Sequence, residues 1–257
     1  MTFTAVLFDL FDTLVLFDRE RLPEIEINGK KVRSTAGHLF PLFRPYAPGV
    51  SLERFYDALL WSWQEAEKIR NADHREVGAV ERFGFLFRHL GLGPSAVPPE
   101  ALQRLLGIHK RYLAQAAVFP EPHRALLHQL AGRYRLGLVS NFDYAPTAHF
   151  ILERENVADL FETVVVSDEV GWRKPKPIIF QTALARMGIG PGDALFVGDR
   201  AEIDVAGAQG VGMRVAWINR EGEPLPSDIP APDYEIRTLE ALGPILATGI
   251  VSADSSV

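Results

Sequence analysis

The sequence predicts a doubly wound α/β fold interrupted, straight after its first strand, by a mostly helical insert. Short, nearly continuous apolar runs occur at 4–9 (TAVLFD), 134–139 (YRLGLV), 163–167 (TVVVS), 194–198 (ALFVG) and 213–218 (MRVAWI). Such runs read as strands buried on both faces, the habit of parallel sheets. Helical patterns separate the later runs, with short connections. Residues 16–118 break that alternation and follow helical spacing instead.

In chain order, the first run ends at Asp9. Alternating residues at 24–33 (EIEINGKKVR) surround Asn28-Gly29, a two-residue hairpin signal. Ser51 caps a helix running to about residue 70, with Phe55, Leu59, Leu60 and Trp63 on its apolar side. Further helices are expected over 76–90 and 99–116. In the second half, residues 122–130 carry Leu126, Leu127 and Leu130 at helical spacing. Residues 178–187 carry Ile179, Ala183 and Met187, with Gly188 as a stop. The stretch 203–209 is small and Ala-rich, suited to close packing on a sheet. The expected division is a core of 1–15 and 119–246, an insert of 16–118 with a short β flap, and a tail of 247–257 that frays.

Composition narrows the function. The 257 residues are 47% hydrophobic and 23% charged, ordinary for a protein with a real core. A net charge of −6 disfavours nucleic acid or an anionic membrane as partner. The absence of cysteine excludes disulfides, thiolate catalysis and Cys zinc sites. No apolar run approaches the roughly 20 residues a bilayer span needs, and the first segment reads as a strand rather than a signal peptide. A cytoplasmic protein is expected.

Polar groups end the strands: Asp9 the first, Ser140-Asn141 the second and Asp199 the fourth, with Asp204 five residues on at a helix start. Lys174 follows the third strand. In an open parallel sheet these ends face one crevice. Three carboxylates with oxygen-only ligation suit Mg²⁺. Ser140, neighbouring N–H groups and Lys174 can hold a phosphate, and Asp9 can attack its phosphorus. Lys174 pairs with Asp9 or the phosphate and keeps Asp9 ionised.

Four motifs in order, DLFDT (9–13), VSN (139–141), GWRKPKP (171–177) and VGDRAEID (197–204), resemble those of the haloacid dehalogenase superfamily, and the insert resembles its helical cap. The resemblance implies a Rossmann-like core and a Mg²⁺-dependent phosphatase with Asp9 as nucleophile. It implies Mg²⁺ held by Asp9, the backbone carbonyl of Phe11 and Asp199, with Asp204 supporting the metal from behind those ligands or through a water. Thr13 and Ser140 would contact the phosphate beside Asn141, with Lys174 as balancing cation. The substrate would be a small phosphorylated molecule.

One position departs from the pattern. Phe11 stands where most phosphatases of the superfamily carry a second Asp, which handles the leaving-group proton. Asp143, in the loop after the second strand, is a candidate to reach inward, either towards substrate or as a substitute acid. Asp12 is read as structural. Two alternatives stand beside the phosphatase. A metal-free 2-haloacid dehalogenase would also lack the second Asp, but does not keep the Asp199 and Asp204 pair. A phospho-ligand-binding protein without turnover would not need Asp9. The histidines show no metal-ligand spacing, and His123 and His128 are expected at the surface. Arg44 and Arg75 are candidates for reading an anionic substrate. The surplus aromatics of the insert suit a substrate pocket or a homodimer contact.

Overall fold

The computed structural model describes residues 3–248. The chain begins with β1 (Ala5–Phe8) and a short β2 (Leu16–Phe17), followed by a hairpin of β3 (Glu24–Ile27) and β4 (Lys30–Arg33). Helices α1 (Ala36–Phe43), α2 (Leu52–Asp73), α3 (Ala79–His89) and α4 (Pro99–Ala116) come next, closed by β5 (Ala117–Val118). Then come α5 (Glu121–Ala131), β6 (Arg135–Ser140), α6 (Ala145–Arg154), β7 (Phe161–Val166) and α7 (Ser167–Val170). The chain continues with α8 (Pro177–Met187), β8 (Ala194–Gly198), α9 (Ala206–Gly210), β9 (Arg214–Ile218), β10 (Tyr234–Ile236) and α10 (Leu242–Thr248).

Six strands form one parallel sheet in the order β10-β9-β8-β1-β6-β7. The expected doubly wound α/β core is therefore present. β1 lies at its centre, between β6 and β8, where the winding changes direction. Its alternation divides the core in two. Val6 and Phe8 join the apolar cluster on one face, and Ala5 and Leu7 the cluster on the other. All four are fully buried. Burying a side chain such as Leu7 or Phe8 stabilises the fold by roughly 1.5–3 kcal/mol. Asp9 inherits its place from that strand: it is the first residue beyond the sheet edge, and its N–H donates to Val197 O at 2.9 Å.

The insert has its own apolar cluster, drawn from α1 to α4 and including Phe43, Phe55, Phe83, Leu86 and Leu105. Its entry and exit strands, β2 and β5, pair antiparallel, so chain leaves and re-enters side by side. The hairpin turn has Asn28 at φ 50° and Gly29 at φ 74°, the two positive values that a type I′ turn requires. Ser51 caps α2 as expected, accepting from Arg54 N–H at 3.3 Å.

Several elements differ from expectation. α1 and α6 were not foreseen, nor was β10, a three-residue edge strand. His123 is buried rather than at the surface, and its Nδ1 donates to Leu14 O at 2.9 Å. Arg75 is engaged by Glu81 at 2.9 Å, and Arg44 lies exposed. Residues 247 and 248 end α10; the rest of the expected tail, 249–257, lies outside the described residues. Among the described residues no helix is long and apolar enough to cross a membrane.

Candidate active site

Asp9, Asp199 and Asp204 meet at the carboxyl ends of β1 and β8. One carboxylate oxygen from each lies within 4.8 Å of the others. Lys174 Nζ lies 2.7 Å from Asp9 Oδ1 and 2.8 Å from Asp204 Oδ1, the latter an ion contact without the angles of a hydrogen bond. Asp204 Oδ2 also accepts from Arg200 N–H at 3.0 Å. Asp204 approaches so closely that a Cβ at Gly198 would sit inside its carboxyl group, which is why a glycine ends β8. Asp199 has no ion pair with Lys174; its Oδ1 faces Thr13 Oγ1 at 3.5 Å, and its carbonyl accepts from the Trp217 indole at 2.9 Å.

Three carboxylates against one ammonium leave negative charge without a counter-charge. Burial pushes the Asp199 carboxyl up to about 8, with Asp9 and Asp204 adding repulsion. Burial likewise lifts Asp9 to about 6, against the pull of Lys174. Burial alone would lower the Lys174 ammonium, but Asp204 and Asp9 outweigh it and raise it. Such a cluster is costly alone and fits a bound cation. Its donors are all oxygen, the set that hard divalent ions prefer.

Asp9, Phe11, Asp12, Asn141, Lys174 and Asp199 help line a cavity of about 150 Å³. Ser140 and Thr13 are fully buried, and neither is among its lining residues; Ser140 Oγ has no hydrogen-bond partner. Asp12 has φ 58°, and its Oδ1 accepts from Phe17 N–H at 3.1 Å, which fits the structural role expected of it.

Two expectations need correction. Asn141 does not present its amide to a phosphate. Its Nδ2 donates to Lys174 O at 3.0 Å and its Oδ1 accepts from Lys174 N–H at 2.7 Å, so it clamps the lysine backbone. Asp143 is not a free acid. It pairs with Arg82 at 2.7 Å and Arg70 at 3.4 Å. The two guanidiniums outweigh burial and hold its carboxyl below the usual range, so it stays charged.

The sequence reading missed the charge network behind these contacts. Arg70 and Arg82 are buried, and so is Glu76, which pairs with Arg70 at 2.9 Å and Arg173 at 2.7 Å. A signal existed: Arg70 continues the buried stripe Phe55, Leu59, Ser62 and Ala66, and Arg82 sits in the stripe Ala79, Phe83 and Leu86. An arginine on an apolar stripe asks for a buried partner.

The sheet and its carboxylate cluster define a class: a doubly wound α/β protein with an acidic cluster at the carboxyl edge of its strands. The chain belongs to the haloacid dehalogenase-like hydrolases, whose family profile matches residues 3–212. It is 29% identical over 236 residues to a glyceraldehyde 3-phosphate phosphatase of Methanopyrus kandleri, covering 90% of this chain and 92% of that one. Among solved structures, a 2-haloacid dehalogenase from Pseudomonas syringae superposes with a TM-score of 0.70 at 25% identity, covering 96% and 99% of the chains. A phosphatase from Thermococcus onnurineus gives 0.60 at 28% identity, covering 96% and 98%.

Proposed function

We propose that the protein is a Mg²⁺-dependent phosphatase that hydrolyses a small phosphate ester through an aspartyl-phosphate at Asp9. The observation that carries this reading is the convergence of Asp9, Asp199 and Asp204 oxygens within 4.8 Å, with Lys174 paired to only two of the three residues. A divalent cation suits the charge left over. Asp9, Asp199 and the Phe11 carbonyl would hold it, with Asp204 beside them. When bound, Mg²⁺ offsets the repulsion between an anionic nucleophile and an anionic substrate.

The side chains divide the work. Lys174 holds one oxygen of Asp9 and leaves the other to attack phosphorus. The ester bond breaks, its electron pair departs with the leaving oxygen, and the phosphoryl group stays on Asp9. Water then attacks the phosphorus, releasing phosphate and restoring the carboxylate. Ser140, unpartnered at the end of β6, is the hydroxyl proposed to meet the phosphate, with Thr13 orienting Asp199. Residues 16–118 act as a cap that excludes bulk water from the crevice.

Turnover of acetyl phosphate tests this reading. Loss of activity on chelation, recovery with Mg²⁺ and loss in Asp9→Asn are expected; retained turnover in a folded Asp9→Asn protein refutes it. The likeness to a 2-haloacid dehalogenase, together with Phe11, favours a second reading. Chloride release from a 2-chloroacid without metal would select it. The acidic cluster speaks against it, since without a cation its charges repel.

A further inference from the structure

A second cavity, of about 420 Å³, lies beside the small one, and the two share Asn141 and Arg173 in their walls. That volume falls within the roughly 300–1,000 Å³ usual for small-molecule sites. Leu59, Leu60, Trp63, Leu113 and Phe142 form an apolar side of its wall, alongside charged residues that include Arg70 and Arg82 paired with Asp143. Trp63 and Leu60 are 53% and 45% exposed, large apolar side chains left open to solvent. Phe11 faces the small cavity and Phe142 the large one, and their rings stack at 4.6 Å and 22°. An aromatic surface therefore runs from beside the nucleophile into the larger space.

Apart from Asp199 and Asp204, which the phosphatase reading gives to the cation, neither wall offers a carboxyl, imidazole or ammonium free to pass a proton to a leaving group. Asp143 is engaged by Arg82 and Arg70, and Glu67 by Arg70 at 2.7 Å. Lys174 is held by Asp9 and Asp204. Arg82 is a donor only, so His109 Nε2 accepts from it at 3.1 Å, and Nδ1–H donates to Thr35 Oγ1 at 2.9 Å. Asp12 accepts from the Phe17 backbone.

We infer that the substrate is a phosphate monoester of an apolar, acidic hydroxyl, an aryl or enol phosphate, whose body lies along Phe11, Phe142 and Trp63. The inference rests on the phosphatase reading above. When the ester bond breaks, an acidic leaving oxygen departs as its anion with the electron pair and needs no proton from the protein. Its apolar body leaves water for the aromatic wall.

The test compares kcat/KM for acetyl phosphate, 1-naphthyl phosphate and glycerol phosphate with Mg²⁺, in the wild type and in Trp63→Ala. Acetyl phosphate has an acidic leaving group too small to use the larger cavity, so its turnover reports the phosphatase reading alone. Naphthyl phosphate is expected to exceed glycerol phosphate by about 10² or more, the scale of general-acid assistance. Trp63→Ala is expected to lower the naphthyl-to-acetyl ratio about tenfold, mainly through KM. Leu60→Asp, also at an exposed position, is expected to move the ratio the same way. Turnover of acetyl phosphate with no naphthyl preference, or with a ratio both variants leave unmoved, overturns the inference and spares the phosphatase reading. No turnover of acetyl phosphate overturns both.

Discussion

Asn141 grips the backbone of Lys174 with both ends of its amide, accepting at 2.7 Å and donating at 3.0 Å across 33 residues of chain. The ammonium that pairs with Asp9 is therefore positioned from β6, the strand next to β1. Asn141→Ala should lower kcat roughly 10²-fold, the scale of a misplaced reacting group. KM for acetyl phosphate should change less, because the phosphate contacts survive. A melting curve and steady-state kinetics on the same preparation check this. An equal loss in Asn141→Asp, which keeps one acceptor, would show that both halves of the clamp are needed.

Gly198 faces Asp204 with no room for a side chain. Gly198→Ala must push the Asp204 carboxyl away from Lys174 or bend the end of β8. Such overpacking costs about 1–3 kcal/mol. A lower melting temperature and weaker Mg²⁺ binding by calorimetry are the expected results.

The strands were legible in the sequence because central strands of a parallel sheet bury both faces and so write unbroken apolar runs. That is the case for β1, where every residue is fully buried. β10 left no such mark, since its burial alternates over three residues at the edge. The acidic cluster was legible for a topological reason: strand ends in this fold converge, so Asp9 and Asp199 could be brought together without knowing any distance. Asp143 was not. Its partner Arg82 is 61 residues away on another element, and only packing of the insert on the loop after β6 joins them. His123 misled for a similar reason. A histidine on an amphipathic helix looks solvated until a carbonyl, here Leu14 O, is found buried beneath it.

The raised Asp199 carboxyl predicts how stability depends on pH without metal. A carboxyl whose folded value lies above its unfolded one binds a proton on folding. Its stabilising contribution is complete below about pH 4 and disappears as pH rises through about 8. His109, held near 3 mainly by burial, works in the opposite sense, but only below about pH 6.5. Between pH 7 and pH 9, then, the metal-free protein should lose several degrees of melting temperature. Asp199→Asn should flatten that slope. Saturating Mg²⁺ should also flatten it by supplying the missing counter-charge, and should raise the melting temperature more at pH 9 than at pH 7.

Phe11→Asp places a titratable carboxyl in the cavity that Asp9 lines and removes the stack on Phe142. Alkyl phosphates, whose leaving groups need a proton, should gain most, by up to about 10². Naphthyl phosphate should gain little or lose. A rate series across leaving groups of graded acidity reads this as a shallower slope in the variant.

The most direct measurement concerns Asp9 itself. Enzyme mixed with Mg²⁺ and an aryl phosphate, quenched in acid within a turnover and digested, should yield a peptide containing Asp9 that carries one phosphoryl group. The label should vanish in Asp9→Asn and on treatment with hydroxylamine, which cleaves acyl phosphates. Phosphate release in the wild type with no phosphoryl group on that peptide, together with unimpaired turnover in Asp9→Asn, would contradict the account.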